Sequence, residues 1–404
     1  MKIAIITESF PPADSGAALT AYAYARCLAE RGHEVLVAAP RQPKHAEPVS
    51  LPCELVPVPV LADVAQGEYP LVSPFAFKAK KRLQEFAPEL IHAHTPFLAA
   101  SMARKLGEKL RVPVVLTLHA RYETDIERFA NSPITRGVAH NMMMENIRGA
   151  DEVWVPSHAA AEHLRGLKYI GGHVLMPAGA GTPQSSIDDE GLRARLNIPH
   201  NAPLILVKSR LLRHKNLFTL LDALELLRGR ETPVHALIVG DGADRRLLDD
   251  YAVERRLDGL THFLSAANGA GADLCVVADT SDNGAHILAD ASGKGLATLA
   301  VQGSAAAGFI EHGVSGFTCP DGVVGLADGI ADALSDKRRR TKIAATARAK
   351  LYEPWESVCG SAIKRYEALT RIHAARLDET DYLDKHRRQL SQPPVKAKLS
   401  KLKQ

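Results

Sequence analysis

The chain has 404 residues, 46% hydrophobic and 24% charged, with a formal net charge of +4. The length exceeds a single hydrophobic core and predicts two domains, while the charge is too weak to suggest a nucleic-acid partner. Five scattered cysteines, never in a CxxC pair, argue against a disulfide framework or a zinc site and for a reducing, cytoplasmic setting. No apolar run approaches the roughly 18 residues that span a bilayer, and no signal-peptide pattern follows Met1-Lys2, so a soluble chain is expected, attached at most to a membrane surface.

Short runs rich in Val, Ile and Leu recur at 3–6, 35–38, 90–92, 114–117 and 153–155, and again at 204–207, 236–239, 274–277 and 297–301. They lack the polar alternation of a half-exposed sheet, and helical patterns separate them, which predicts buried parallel strands joined by helices. Pro, Gly, Ser and Thr accumulate near 177–188. The expected architecture is α/β, with two doubly wound, Rossmann-like domains facing each other across a cleft. Ligands of such sheets bind beyond the carboxyl ends of the strands, so residues just after each run are the candidates.

After the first run, Thr7-Glu-Ser-Phe-Pro-Pro-Ala-Asp-Ser-Gly-Ala-Ala18 leads into a helix predicted over 19–31. Gly16 permits close backbone approach by a ligand, but the three spaced glycines of a dinucleotide fingerprint are absent, and a plain loop explains the stretch as well. A helix over 75–86 has one apolar and one basic face, read first as a solvated outer face and second as a contact for anionic lipid head groups. His92, His94 and His119 lie at strand ends. Without further ligands or a DxD pair they predict no metal site. His119, followed by Arg121, Tyr122, Glu123 and Asp125, stands where a doubly wound sheet presents side chains to the cleft, although a lone histidine there is more often structural.

Near the midpoint, Leu204-Ile-Leu-Val-Lys-Ser-Arg-Leu-Leu-Arg-His-Lys-Asn216 reads as a strand, a turn and a helix starting near Asn216. Such turns gather backbone N–H groups and the positive end of a helix dipole, and Arg210 and Lys215 add two charges. The turn reads equally as a diphosphate site or as a solvated basic turn. Gly240 and Gly242, between a strand and a helix, would allow a nucleotide to approach closely. Asp282 can be explained as a helix N-cap; Asp290, eight positions later among small residues, has no such explanation and could accept hydrogen bonds from sugar hydroxyls.

Taken together in chain order, these pieces resemble the retaining, GT-B-fold glycosyltransferases of family 4 over about residues 1–372. They are the Phe-Pro-Pro…Gly loop, Arg31-Gly-His-Glu-Val35, Ile91-His-Ala-His-Thr-Pro-Phe97, Thr117-Leu-His119, Ala150-Asp-Glu-Val-Trp-Val-Pro-Ser157, the Ser-Arg-x4-Lys-Asn turn, Gly240-Asp-Gly242 and Glu311-His-Gly-Val-Ser-Gly-Phe317. The segment from His119 to Ile126 looks like the branch labelled diacylglycerol glucosyltransferase or lipopolysaccharide-type transferase. The resemblance implies an N-terminal acceptor-side domain over 1–182, a donor-binding domain over 183–351, and a helix over about 352–372 that crosses back to the first domain with Trp355 as its anchor. It implies a nucleotide-diphosphate sugar as co-substrate, a lipid or glycan acceptor, and no metal or other cofactor.

Residue by residue, the resemblance assigns the donor diphosphate to Arg210 and Lys215 and places His119 near the donor sugar. It puts Gly16 in the loop that approaches donor and acceptor. Asp282 and Asp290 fall on the acidic pair of the family's E-x7-E motif, where the second member holds the ribose.

The chain departs from the family's pattern at several positions. Pro177-Ala-Gly-Ala-Gly181 replaces Pro-Asn-Gly-x-Asp, both acidic positions carry Asp, Ala278-Asp279 replaces a strand-end Pro-Ser, and Ala307 stands where Glu is usual. The leading expectation is a hexosyltransferase. The alternative is a non-catalytic GT-B protein that binds a nucleotide or a partner glycosyltransferase, and a GT-B epimerase or phosphorylase ranks third. The basic stretch 376–404 is expected to be a disordered tail, either solubilising or drawn to anionic lipid at a membrane's inner face.

Overall fold

A computed structural model describes residues 1–13, 15–42, 50–64, 69–119, 122–130, 132–180, 191–265, 271–279 and 284–391. The first half contributes β1 (Lys2–Ile6), β2 (Glu34–Pro40), β3 (Glu54–Val58), an antiparallel hairpin of β4 (Val60–Val64) and β5 (Tyr69–Val72), then β6 (Leu90–Ala93), β7 (Val114–Thr117), β8 (Glu152–Val155) and β9 (His173–Leu175). Apart from the hairpin, these strands form one parallel sheet in the order β3-β2-β1-β6-β7-β8-β9. The second half contributes β10 (Leu204–Lys208), β11 (His235–Val239), β12 (Thr261–Leu264), β13 (Leu274–Val277), β14 (Thr298–Val301) and β15 (Phe317–Cys319), parallel in the order β12-β11-β10-β13-β14-β15.

Helices cover both faces of each sheet, as the unalternated apolar strands require. In the first half these are α1 (Gly16–Glu30), α2 (Phe77–Phe86), α3 (Leu98–Leu110), α4 (Tyr122–Phe129), α5 (Pro133–Arg148) and α6 (His158–Gly166). The second half has the short α7 (Leu192–Arg195), then α8 (Leu217–Gly229), α9 (Arg245–Glu254), α10 (Ala285–Gly293), α11 (Val323–Ser335) and α12 (Lys337–Leu351). Ile6, Leu36, Leu83, Ile91, Leu106 and Leu116 belong to the core on one face of the first sheet; Ile5, Val37, Leu28 and Trp154 belong to the other. The second sheet has its own core, including Val207, Leu220, Ile238, Val276 and Ile330.

The last helix, α13 (Trp355–Ser391), leaves the second core and packs on the first. Trp355 is 6% exposed and meets Tyr24 edge-on at 5.4 Å. A Cβ at Gly179 would stand 2.4 Å from the Trp355 ring, so the missing side chain there leaves room for that anchor. Further along, Tyr366 stacks on Trp154 at 5.2 Å, and Arg365 donates to the buried carboxylate of Glu152. The helix is longer than the predicted 352–372 and continues through 376–391, which corrects the expectation of a disordered tail beginning at 376. Residues such as Ala374, Ala375, Arg376, Leu377 and Glu379 are good helix formers, and no proline stands before 393. The remainder of that tail, 392–404, lies outside the described residues.

Candidate functional site

Each sheet has one place where the direction of strand addition reverses. In the first, β1 is followed outward by β2 and β3 on one side, and β6 then adds on the other side of β1. In the second, β10 leads to β11 and β12, and β13 returns to β10's free flank. The crevices beyond the carboxyl ends of β1/β6 and β10/β13 are where such sheets bind ligands. The two halves approach each other at these ends. A Cβ at Gly16, the first residue of α1, would lie 2.7 Å from Nδ1 of His286 on α10, and one at Gly308 would lie 2.8 Å from Cβ of Ala159 on α6. The close approach that Gly16 permits is therefore to a protein side chain, His286, which the sequence reading did not single out.

At the second crevice, β10 ends at Lys208, and Ser209 to Leu212 form the turn. A single 3-10 turn, Arg213–Lys215, follows, and Asn216 in the left-handed region (φ 59°) starts α8 at Leu217. Arg210 is half-buried on this turn. The turn's backbone is held from β11's end, with Ser209 N–H donating to Val239 O (3.1 Å) and Leu211 N–H to Asp241 O (2.9 Å). Gly240 and Gly242 make this contact feasible. Added Cβ atoms would fall 1.9 Å from Ser209 O and 2.4 Å from Leu211 O, and Gly240 has φ +150°. The glycines expected to admit a nucleotide thus admit the neighbouring turn, and they shape the loop carrying Arg210.

Lys215 is 4% exposed, and its Nζ lies 2.5 Å from Oδ2 of Asp279, just past β13. Asn216 Nδ2 donates to Ala278 O (3.1 Å), just past β13, and to Asp321 Oδ1 (3.0 Å), just past β15, tying the start of α8 to both strand ends. Asp279, noted in the sequence only as a departure from Pro-Ser, is therefore a counter-charge for the expected diphosphate lysine.

Asp290 on α10 is also engaged. Its Oδ2 accepts from Lys208 Nζ at 2.6 Å and from Lys294 Nζ at 2.7 Å. Burial pushes the Asp290 carboxyl up, but the two ammonium charges outweigh it and hold the group below its ordinary value. Burial lowers Lys294, and the neighbouring charge of Lys208 adds to this; for Lys208 the Asp290 charge overcomes burial and the shift is upward. Asp282, the first member of that acidic pair, lies outside the described residues. Lys208 carried no signal in the sequence, because the carboxylate it meets lies 82 residues further on; Lys294, four residues after Asp290, is a local i,i+4 partner whose role was not read.

At the first crevice the loop after β1 carries Glu8, which is 2% exposed. Its Oε1 accepts from the N–H groups of Leu98 (2.9 Å) and Ala99 (3.2 Å) at the start of α3, capping a helix whose own N-cap residue, Phe97, offers no side-chain hydrogen bond. Burial raises the Glu8 carboxyl to about 7, against the lowering effect of its hydrogen bonds, led by that to Thr95. The folded protein therefore binds a proton that the unfolded chain releases at the ordinary carboxylate pKa, and this group's stabilisation fades as pH rises through that window. Glu8→Gln is expected to melt progressively higher relative to the wild type between pH 5 and pH 8. A difference in melting temperature that stays constant across that range would contradict the assignment.

His92 is fully buried, between Tyr366 Oη at its Nδ1 (2.7 Å) and Thr117 Oγ1 at its Nε2 (2.7 Å). His94 Nδ1 lies 3.1 Å from His119 Nε2, and His119 N–H donates to Tyr122 Oη at 3.3 Å. Beside them lies a small apolar pocket lined by Leu118, Tyr122, Met143, Ile147 and Val155 and, from the second half, Ala305. Glu123 and His163, 2.9 Å apart, are its polar members. Burial pushes the Glu123 carboxyl up, but its bond to His163 helps hold it below the ordinary value.

A family model described as Glycosyltransferase Family 4 matches residues 15–175, and one described as Glycosyl transferases group 1 matches residues 188–350. The chain belongs to the family 4 glycosyltransferases. A GDP-mannose-dependent alpha-mannosyltransferase of Mycobacterium tuberculosis is 28% identical over 91% of this glycosyltransferase and 97% of its own length. An alpha-monoglucosyldiacylglycerol synthase of Acholeplasma laidlawii is 21% identical over 78% and 84%. Among solved structures, sucrose-phosphate synthase of Thermosynechococcus elongatus superposes with a TM-score of 0.74 at 20% identity, over 92% of this chain and all (100%) of that one. The Anabaena protein HepE with UDP and glucose reaches 0.70 at 21% identity, over 91% and 99%. These likenesses show the GT-B fold.

Proposed function

We propose that this glycosyltransferase moves a hexose, with retention, from a nucleotide-diphosphate sugar to a hydroxyl of a lipid or glycan, without a metal or other cofactor. The observation that carries the reading is the turn at the β10/β13 crevice, which carries Arg210 and Lys215 and leads directly into the N-terminus of α8. The named donors and ligands of the relatives, GDP-mannose in one and UDP with glucose in another, agree with a diphosphate there.

In the proposed reaction the bond between the anomeric carbon and the β-phosphate oxygen breaks, and the sugar becomes cation-like. The acceptor oxygen bonds to the same face of that carbon, and its proton passes to the departing phosphate. Arg210 neutralises the charge that grows on the phosphate, its planar fork holding two oxygens, with Lys215 as a point charge. His119 and Gly16 border the donor sugar, and Asp290 takes the ribose with the oxygen that the two lysines leave.

Turnover of nucleotide sugars with lipid and glycan acceptors, with the anomeric configuration of the product read by NMR, tests this. An inverted product or an obligatory divalent cation would refute the mechanism. The second reading, a non-catalytic nucleotide-binding protein, is favoured by one fact: Lys215 and Asp290 already have partners within the chain. Nucleotide-dependent thermal stabilisation without transfer to any acceptor would establish it.

The proposal includes peripheral contact with anionic lipid. Phe75 and Phe77 are 69% and 75% exposed beside the exposed Lys78 and Lys81 of α2. No helix among the described residues is long and apolar enough to cross a membrane. Burying one such aromatic side chain contributes about 1.5–3 kcal/mol, so Phe75→Ser with Phe77→Ser is expected to weaken binding to phosphatidylglycerol vesicles at least tenfold. Equal co-sedimentation of variant and wild type would remove α2 as the contact.

A further inference from the structure

His119 does not stand alone at the end of β7. Its Nε2 lies 3.1 Å from Nδ1 of His94, with the two ring planes within 13° of each other. His94 has 0% exposure, and its Nε2 has no hydrogen-bond partner. Among the described residues, the only polar contact of this buried imidazole is therefore the one to His119. His94 is itself held on its other side: the His92 ring lies 4.0 Å away at 38°, and Tyr24 lies 5.6 Å away. His92 is fixed at both nitrogens, by Thr117 of β7 and by Tyr366 of α13.

We propose that His94 is the positioning residue of His119: the Nδ1···Nε2 hydrogen bond fixes the rotation of the His119 ring and its tautomer, and reserves Nε2 for the protein, not the substrate. Burial, with the nearby His92 and His119, pushes His94 well below the ordinary histidine value, so its ring is neutral and carries one N–H. Whichever ring donates, the pair shares a single proton along this line, and any contact of His119 with the sugar or acceptor is made through its other edge. The row Tyr366, His92, His94, His119 also joins the returning helix α13 to the crevice, so the crossover anchors the site as well as the fold.

This inference rests on the proposed place of His119 beside the donor sugar, and two readouts separate them. The ¹⁵N shifts of the His119 imidazole report its tautomer without any reaction, while steady-state kinetics report its use. His94→Phe keeps a ring in the stack and removes the hydrogen bond; His94→Asn places an amide group near the position of Nδ1. The wild type is expected to show one dominant His119 tautomer and His94→Phe a shifted tautomer balance. In His94→Phe, kcat should fall between about tenfold and 10²-fold, the scale of a small misplacement of a reacting group, with the donor KM within about twofold. His94→Asn should recover at least part of both signals.

Unchanged His119 shifts in His94→Phe, or a His94→Asn spectrum no closer to wild type than that of His94→Phe, would overturn the inference. Altered shifts with undiminished kcat would uphold the positioning and remove His119 from the reaction.

Discussion

Arg210→Ala is expected to lower kcat/KM for nucleotide-sugar turnover by about 10²–10³, the usual cost of removing one preplaced group that stabilises developing charge. The melting temperature should stay near that of the wild type. The loop carrying Arg210 is held by backbone hydrogen bonds from Ser209 and Leu211 and by the fit of Gly240 and Gly242 against it. Because a guanidinium can grip two phosphate oxygens and an ammonium acts as a point charge, Arg210→Lys should restore only part of the loss. Steady-state kinetics alongside a thermal melt check both halves of this statement.

Lys215→Ala is expected to do something different, losing turnover and stability together. Lys215 and Asp279 are 4% and 6% exposed, and their charged atoms are 2.5 Å apart. Removing one member of a buried ion pair leaves a carboxylate out of water without its counter-charge, which costs about 3–5 kcal/mol. Asp279→Asn in the Lys215→Ala background should therefore return most of the stability and none of the turnover. If the single variant melts with the wild type, the buried pair is not the structural element described here; if the double variant recovers turnover, Lys215 is not a donor-binding group. The pair also sets how Lys215 can act, since a diphosphate would have to share its ammonium with Asp279.

The nine apolar runs read from the sequence coincide with the nine interior strands of the two sheets, β1, β2, β6, β7, β8, β10, β11, β13 and β14. An interior strand of a doubly wound sheet is covered by helices on both faces and flanked on both edges, so its sequence is nearly unbroken Val, Ile and Leu. Of the six strands that the reading missed, β4 and β5 form the separate hairpin, and β3, β9, β12 and β15 are the four edges of the two parallel sheets. Their polar content shows why: Glu54 and Pro57 in β3, His173 in β9, Thr261 and His262 in β12, Thr318 in β15.

The candidate site was legible to a different depth. Arg210, Lys215 and His119 follow strand ends, and topology alone brings such positions to a crevice. Their partners were not legible. Asp279 and Lys208 gain meaning only when segments 64 and 82 residues apart become neighbours, and His286 and His94 only when two sheets or two strand ends meet. The two glycines after β11 were assigned to a ligand because a sequence shows that close approach is allowed, but not what approaches. The protein's own backbone does so.

These partners bear on the departures from the family's pattern. Asp at 279 in place of Ser, and Asp at 290 in place of Glu, both occur beside lysines that neutralise them. The changes are accommodated within the fold, and they leave Arg210 with the larger share of the proposed diphosphate binding. The account is tested most directly by measuring nucleotide release from a panel of nucleotide sugars, with lipid and glycan acceptors present, for the wild type and Arg210→Ala side by side. It predicts turnover by the wild type and a rate about 10²-fold or more lower in the variant. Equal rates in the two proteins, or nucleotide binding by the wild type without transfer to any acceptor, would contradict it.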